Sequence, residues 1–361
     1  LHPPKPPNPQ TLNPQTSKPL SMQQYMHRCF QLARLGAGSV SPNPMVGAVL
    51  VYEDRIIGEG WHRRYGEAHA EVNAVHSVAE ADRHLIPRAT LYCSLEPCFH
   101  FGKTPPCVDL ILEQKIPRVV VSNTDPNPLV AGQSLHKLRE AGVEVTEGVL
   151  EAEGFYLNRA FFTWIAKKRP HIILKWAQSA DGFIARTGEQ TAISGPLAKR
   201  LVHRWRSESD AILVGTTTAL TDNPRLDSRL YFGKSPLRIA LDFKAKIPLT
   251  ACLLDDTLTT WIIGPARGDH FKNTNFLEPG AENWIPELLQ KLYEAKRAIL
   301  LVEGGAHTLR QFLEAGWWDE IRLIENPQRL GSGVQAPEIP GGVLLREEFK
   351  VGLDVVRIFG R

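Results

Sequence analysis

EPCFHFGKTPPC, residues 96–107, carries two cysteines, Cys98 and Cys107, each directly after a proline and separated by eight residues that include Gly102. The chain has only five cysteines in 361 residues: Cys29, Cys93, Cys98, Cys107 and Cys252. An odd, scattered set argues against a secreted disulfide framework and for a reducing compartment. A disulfide, a metal or plain packing could each account for the pair. Upstream, His69 and Glu71 of HAEVNA (69–74) open a stretch of helical spacing. Cys98 follows the strand-like ATLYCSLE (89–96). Cys107 opens CVDLILEQ (107–114), where Pro105 and Pro106 suit a first helical turn. Strand ends and helix starts meet at one edge of a sheet, so these side chains are placed to converge. One histidine and two cysteines form a three-ligand zinc set with a fourth position open to water. Such a site lowers the pKa of bound water toward neutrality, and Glu71 stands where a proton shuttle is needed. Ordinary buried thiols remain an alternative, as does a structural zinc closed by a fourth ligand such as His100. His76 lies two helical turns from His69, too far to join.

Outward from this loop the chain alternates. QYMHRCFQLARLG (24–36) reads as a helix ending at a glycine. VGAVLVY (46–52) and RIIGEGW (55–61) read as a hairpin about Glu53-Asp54, followed by a helix over 69–81. RVVVSN is a strand, AGQSLHKLREAG a helix and VEVTEGV a strand. Residues 40 to 150 thus form a three-layer α/β unit. EGFYLNRAFFTWIAKK (153–168) is expected as one helix running to Arg169-Pro170, a domain boundary. The alternation then restarts with strands in HIILKWAQS, AILVG, LRIALDF, TTWIIG, AILLVEGG and EIRLIEN, and helices in GPLAKRLVHRWRSES and HTLRQFLEAG. The expected organisation is a tail over 1–20, one domain over 21–168 and a second over 169–361.

Composition agrees with two domains: 43% of residues are hydrophobic, ample for two cores. A net charge of +3 is far from that of a nucleic-acid coat. No stretch of eighteen apolar residues appears, so no membrane partner is expected. Residues 1–20, rich in Pro, Asn, Gln and Thr, are expected to be disordered and are no secretory signal. They read as upstream read-through or a cloning scar more than as a transit peptide, with Met22 a natural start for the folded part.

His-x-Glu followed by Pro-Cys and a second Cys is the signature of zinc-dependent base deaminases. The wide spacing in EPCFHFGKTPPC resembles the pyrimidine deaminases of riboflavin biosynthesis, as do SPNPMVGAVLV, GEGWH, HAEVNA and TDPNPLVAG. Phe99 departs from the small residue or Cys common there. The resemblance implies a cytidine-deaminase-like domain. In it His69, Cys98 and Cys107 hold one zinc and Glu71 is the general acid/base. Asn43, His62, Lys103, Asp125 and Asn127 line the pyrimidine and phosphoribosyl site.

In the second half, LVEGG (301–305) runs a strand into Glu303, Gly304 and Gly305 ahead of a helix, a geometry suited to phosphate, although Gly-Gly there is often a plain turn. There is no GxGxxG. LKWAQSADG, RSESDAILVGTTTALTDNPRL and LVEGG together resemble the reductase half of bifunctional riboflavin biosynthesis proteins, a dihydrofolate-reductase-like α/β domain. The resemblance implies that Lys175, Arg206, Leu226, Arg229 and Glu303 bind the aminouracil ribosyl phosphate. It implies that Ala177, Thr218, Asp222 and Gly305 lie along NADPH. Gln190 and Ala192 in GEQTAISG depart from the family pattern near the cofactor and admit a rival reading, a monofunctional deaminase with an inactive second domain. Lys175 and Asp181 are candidates for the proton donor of the hydride step. The resulting expectation is a cytoplasmic, homo-oligomeric enzyme that acts on a small phosphoribosyl pyrimidine and binds no nucleic acid.

Overall fold

The computed structural model describes residues 21–99, 105–127, 131–268, 271–278, 280 and 283–361. Its first half contains helix α1 (Met22–Arg34), strands β1 (Gly47–Tyr52) and β2 (Arg55–Trp61), helix α2 (Ala70–His76), β3 (Thr90–Leu95), α3 (Cys107–Glu113), β4 (Arg118–Asn123), α4 (Gln133–Glu140), β5 (Glu144–Thr146), α5 (Glu151–Leu157) and α6 (Arg159–Lys167). Among the described residues these strands form a sheet in the order β2-β1-β3-β4-β5. It is antiparallel from β2 to β3 and parallel from β3 to β5. The β1–β2 hairpin closes through Glu53 and Asp54, both with positive φ, 45° and 63°. That is the two-residue turn whose twist matches a right-twisted ribbon. Ser21 caps α1: its Oγ accepts from Gln24 N–H at 3.3 Å, while Gln24 Oε1 accepts from Ser21 N–H at 2.7 Å.

Apolar residues alternate across the two faces of this sheet. Leu50, Leu91, Val119 and Val121 pack with α2, α3 and α4 on one side. Val49, Val51 and Val120 pack with Tyr25, Met26 and Phe30 of α1 on the other. Helix α2 lies hard against β2, because a Cβ at Gly60 would sit 2.3 Å from Ala74 N and 2.4 Å from Ala70 O. A side chain there would push away the helix that carries Glu71.

Two expected elements differ. The helix expected over 69–81 stops at His76, and a 3-10 segment follows over Glu80–Arg88. Pro87 lies in that segment and gives no N–H to a helix ladder. The single helix expected over 153–168 is two, because the chain turns at Asn158. The Asn158 side chain explains the break. Its Oδ1 accepts from Met45 N–H at 2.8 Å and its Nδ2 donates to Met45 O at 2.9 Å, an exchange with the backbone ahead of β1 that fixes the corner.

The second half contains β6 (His171–Ser179), β7 (Phe183–Ala185), α7 (Pro196–Glu208), β8 (Ala211–Val214), α8 (Thr216–Asp222), β9 (Leu237–Leu241), β10 (Thr260–Ile263), β11 (Thr274–Leu277), α9 (Trp284–Glu294), β12 (Ile299–Val302), α10 (Ala306–Glu314), β13 (Glu320–Asn326), β14 (Val334–Gln335), β15 (Leu344–Val351) and β16 (Asp354–Gly360). Among the described residues its main sheet runs β11-β10-β9-β8-β12-β6-β13-β16-β15, parallel as far as β13 and antiparallel at the β13–β16–β15 edge. The helices α8 and α9 and the closing hairpin β15–β16 were not expected from the sequence. The chain order reverses direction across the sheet about β8, β12 and β6, and such a switch point opens a crevice at the strands' carboxyl ends. The two halves meet through an ion pair, with Arg159 Nε 2.6 Å from Glu320 Oε2, and through a hydrogen bond that Ser41 donates to Asp210.

Candidate active sites

The parallel strand β3 ends at Leu95, and Glu96-Pro97-Cys98 leaves the sheet at its carboxyl edge. Cys107 begins α3 and His69 directly precedes α2, so three elements deliver their side chains to one point. The donor atoms of His69, Cys98 and Cys107 lie within 4.8 Å of one another. His69 Nδ1 is 3.4 Å from Cys98 Sγ and 3.3 Å from Cys107 Sγ. Cys107 N–H also donates to Cys98 Sγ at 3.2 Å. Hydrogen bonds from Cys107 and His69 bring the Cys98 thiol down to about 4 against the pull of burial. Cys107 is pushed up by the same contact and by burial, so the two directions describe one shared proton. Two sulfurs and an imidazole nitrogen at this separation fit a zinc ion, which takes thiolate and imidazole ligands.

Glu71 is buried, one residue into α2. Burial pushes its carboxyl up, opposed by the nearby His69. A carboxyl raised toward neutrality beside a metal set is suited to take and return a proton. His62 closes one wall. Its ring centroid is 5.3 Å from that of His69, nearly perpendicular. His62 Nδ1 meets Ala68 O at 3.2 Å and its Nε2 meets Asn43 Nδ2 at 3.3 Å. A carbonyl on one side and an amide NH2 on the other fix the neutral tautomer with its proton on Nδ1, which leaves the Asn43 carbonyl free for a ligand. Burial lowers the His62 pKa in agreement. Asp125 and Asn127 follow β4, with Asn127 N–H donating to Asp125 Oδ1 at 2.8 Å. Lys103 and His100 lie outside the described residues.

Sequence reasoning missed Glu96. Its buried carboxylate accepts from Asp125 N–H and Gly132 N–H, both at 3.0 Å, and from Ser134 N–H and Oγ–H at 3.2 and 2.5 Å. It ties the segment bearing Asp125 to the one that ends at Cys98. An acid in a strand's last turn before a proline carries no periodic signal, so only the fold exposes this role.

In the second half, register assembles the site. Leu174 of β6 and Leu213 of β8 both pair with Val302 of β12. One residue on, Lys175 and Glu303 come level with Val214, and Gly215 follows next in the chain. Lys175 Nζ is 3.6 Å from Glu303 Oε2. Arg206 Nε and Nη2 each donate to Glu303 at 2.9 Å, a bidentate pair. Burial alone would raise Glu303, but Arg206 and Lys175 take it down to about 2. Burial lowers Lys175, with Glu303 opposing.

Lys175, Ala177, Arg206, Thr218, Asp222, Leu226, Arg229, Glu303 and Gly305 all line one cleft of about 1330 Å³, as do Gln190 and Ala192. That exceeds an ordinary single-ligand pocket and has room for a substrate and a dinucleotide. A Cβ at Gly304 would sit 2.9 Å from Gly215 N, and one at Gly305 3.1 Å from Thr218 Oγ1. The bare glycines therefore let the turns that open α8 and α10 pack closely, and both turns border the cleft. Gln190 and Ala192 sit in a stretch held from behind, where Gln328 Nε2 donates to Ala192 O and Ile193 O at 3.1 and 3.0 Å. Asp181 is a turn acid. It accepts from Ser179 Oγ–H at 2.6 Å and from Leu330 and Gly331 N–H at 3.1 and 2.8 Å, which removes it as the proton donor.

Fold and sites together define a two-domain α/β enzyme, a deaminase-type metal centre followed by a reductase cleft. The family model for the cytidine and deoxycytidylate deaminase zinc-binding region matches residues 20–123, and that for the RibD C-terminal domain matches 170–358. Riboflavin biosynthesis protein RibD of Aquifex aeolicus (strain VF5) is 39% identical over 353 residues, 93% of this chain and 98% of that one. RibD of Actinobacillus pleuropneumoniae is 40% identical over 331 residues, covering 88% of this chain and 86% of its own. The solved diaminohydroxyphosphoribosylaminopyrimidine deaminase/5-amino-6-(5-phosphoribosylamino)uracil reductase of Thermotoga maritima superposes with a TM-score of 0.85 at 34% identity, covering 94% of this chain and 98% of that one. The chain belongs to the RibD family of bifunctional riboflavin biosynthesis enzymes. Nothing in the cleft or in these relatives favours a deaminase with an inactive second domain.

Proposed function

We propose that residues 21–168 deaminate 2,5-diamino-6-(5-phosphoribosylamino)pyrimidin-4-one, and that residues 169–361 reduce the product's ribosyl chain with NADPH to give 5-amino-6-(5-phosphoribitylamino)uracil. The observation that carries this reading is His69, Cys98 and Cys107 converging beside the buried Glu71. In the first step a water oxygen bonds to the ring carbon bearing the exocyclic amine, the C–N bond breaks and ammonia leaves. One zinc per chain, held by His69, Cys98 and Cys107, supplies Lewis-acid activation of that water. Glu71 takes a proton from the water and returns it to the departing nitrogen. Asn43, Asp125 and Asn127 match the donors and acceptors of the pyrimidine. His62 orients Asn43, and Lys103 belongs to the phosphoribosyl site on its motif alone.

In the second step the nicotinamide supplies hydride to the open ribosyl chain. Lys175, held by Glu303, delivers the accompanying proton. Arg229 binds on the phosphate side, where Arg206, held by Glu303, adds its positive charge, and Leu226 packs against the base. Ala177, Thr218, Asp222 and Gly305 line the cofactor slot. The domain boundary falls between the end of α6 at Lys167 and the start of β6 at His171. Five free cysteines fit a cytoplasmic location. No helix among the described residues is long and apolar enough to cross a membrane. The edge strand β15, with Leu344 and Leu345 more than half exposed, supports self-association.

Metal analysis combined with turnover of the diaminopyrimidine, with and without NADPH, tests the reading. A zinc-replete sample should release ammonia and then oxidise NADPH. Absence of deamination would refute it.

A further inference from the structure

On α7, Lys199, Val202, His203 and Arg206 recur at helical spacing and line the reductase cleft, while Ala198 and Trp205 of the same helix pack into the core. His203 is 6% exposed. Its Nδ1 is buried and, among the described residues, has no hydrogen-bond partner. A buried N–H without an acceptor is rarer in folded proteins than a buried lone pair, so the ring proton belongs on Nε2. His203 lines the cleft, and with Nδ1 buried the ring reaches it through the Nε2 side. Arg206, Arg229, Asp227 and Glu303 are the charged groups around it. Burial first, then the two arginines, lower its pKa and keep the ring neutral.

A neutral imidazole with its Nε2–H turned into a cleft beside guanidinium groups is a donor waiting for an acceptor. Protein acceptors there are committed. Both oxygens of Glu303 accept from Arg206, and Asp227 is paired with Arg229. Arg206 is equally committed to Glu303, so the cleft's anion-binding capacity at this end rests on few free donors. We infer that His203 is a substrate-binding residue of the reductase, donating from Nε2 to a phosphate oxygen of the phosphoribosyl substrate next to Arg229. The inference rests on the reductase reading above and adds a residue to it.

The test uses the full chain and NADPH oxidation with 5-amino-6-(5-phosphoribosylamino)uracil and with its dephosphorylated form. His203→Phe should raise KM for the phosphorylated substrate about tenfold, as expected for one lost hydrogen bond to a charged group. It should leave KM for NADPH and the rate of deamination unchanged. His203→Gln keeps an N–H near the Nε2 position and should recover most of the loss. On the dephosphorylated substrate His203→Phe and wild type should behave alike. An unchanged KM in His203→Phe, an equal penalty on both substrates, or no recovery in His203→Gln would each overturn the assignment. Failure of the wild type to oxidise NADPH would sink the reductase reading itself, a distinct outcome.

Discussion

Replacing Glu96 by Gln should cripple deamination without emptying the metal site. The Glu96 carboxylate receives four donors, two on each oxygen: Asp125 and Gly132 N–H on Oε2, and Ser134 N–H and Oγ–H on Oε1. Gln must present its NH2 at one of these positions. Whichever way it turns, two donors then face a donor, and two hydrogen bonds to a charged acceptor are lost. At about 1.5 kcal/mol each, the low end for charged acceptors, the loss is about 3 kcal/mol. If Asp125 and Asn127 must be ordered to hold the pyrimidine, that converts to about a hundredfold in kcat/KM. Ser134→Ala removes only the hydroxyl and keeps the carboxylate, so at the same ~1.5 kcal/mol for one bond its effect should be about tenfold. The assay is ammonia release from the diaminopyrimidine, with zinc per chain measured on the same sample. NADPH oxidation with supplied aminouracil substrate reports that the other half is intact. Zinc content and reduction should be unchanged in both variants. Wild-type kcat/KM in Glu96→Gln, or an equal loss in Ser134→Ala, would show that the carboxylate does not position the segment.

Glu71→Gln keeps the size of the side chain but removes its proton-accepting form, and should lower deamination by about a hundredfold to ten-thousandfold with zinc retained. Treating the enzyme with a chelator should abolish deamination while NADPH oxidation with the deaminated substrate continues; loss of both activities would place the metal elsewhere. Glu303 predicts an acid window. Its folded pKa of about 2 lies below its ordinary 4.5, so its contribution is full above 4.5 and is lost as pH falls from there toward 2. The total is about 3 kcal/mol, and Glu303→Gln should flatten that part of the stability profile, measured by denaturant unfolding at stepped pH. Asn158→Ala removes two hydrogen bonds to Met45, and should lower the stability of the first domain by about 2 kcal/mol, read from the same unfolding curves.

The metal set was legible because its residues carry chemistry in their identity. Cys98, Cys107 and His69 sit beside breaks that the sequence itself marks, two prolines and the starts of two helices. The β1–β2 hairpin and the alternating strands were legible for the same reason, since period and turn residues act locally. The helix over 153–168 was misread because Asn158 acts at a distance, through Met45, 113 residues earlier. The hairpin β15–β16 escaped because β15 is an exposed edge strand whose polar residues show no apolar alternation. Helix α8, with three threonines in its first turn, has poor intrinsic propensity and is held by its place after β8.

The two halves solve positioning differently, and that difference decides what a sequence can reveal. A metal centre needs a few donors of fixed type at fixed separation, so the first site compresses into short motifs around one strand end. The second site has no metal to organise it. It depends on the pairing register of β6, β12 and β8, which sets Lys175, Glu303 and Val214 level with one another although they come from segments far apart in the chain. Its charges then order one another. Glu303 holds Arg206 by two bonds and Lys175 by one contact, so a single carboxylate sets the position of both cations. Removing it leaves two largely buried positive charges facing each other, a far greater disturbance than loss of either partner. For that reason Glu303 is the least replaceable residue of the cleft, even though it need never touch the reacting carbon.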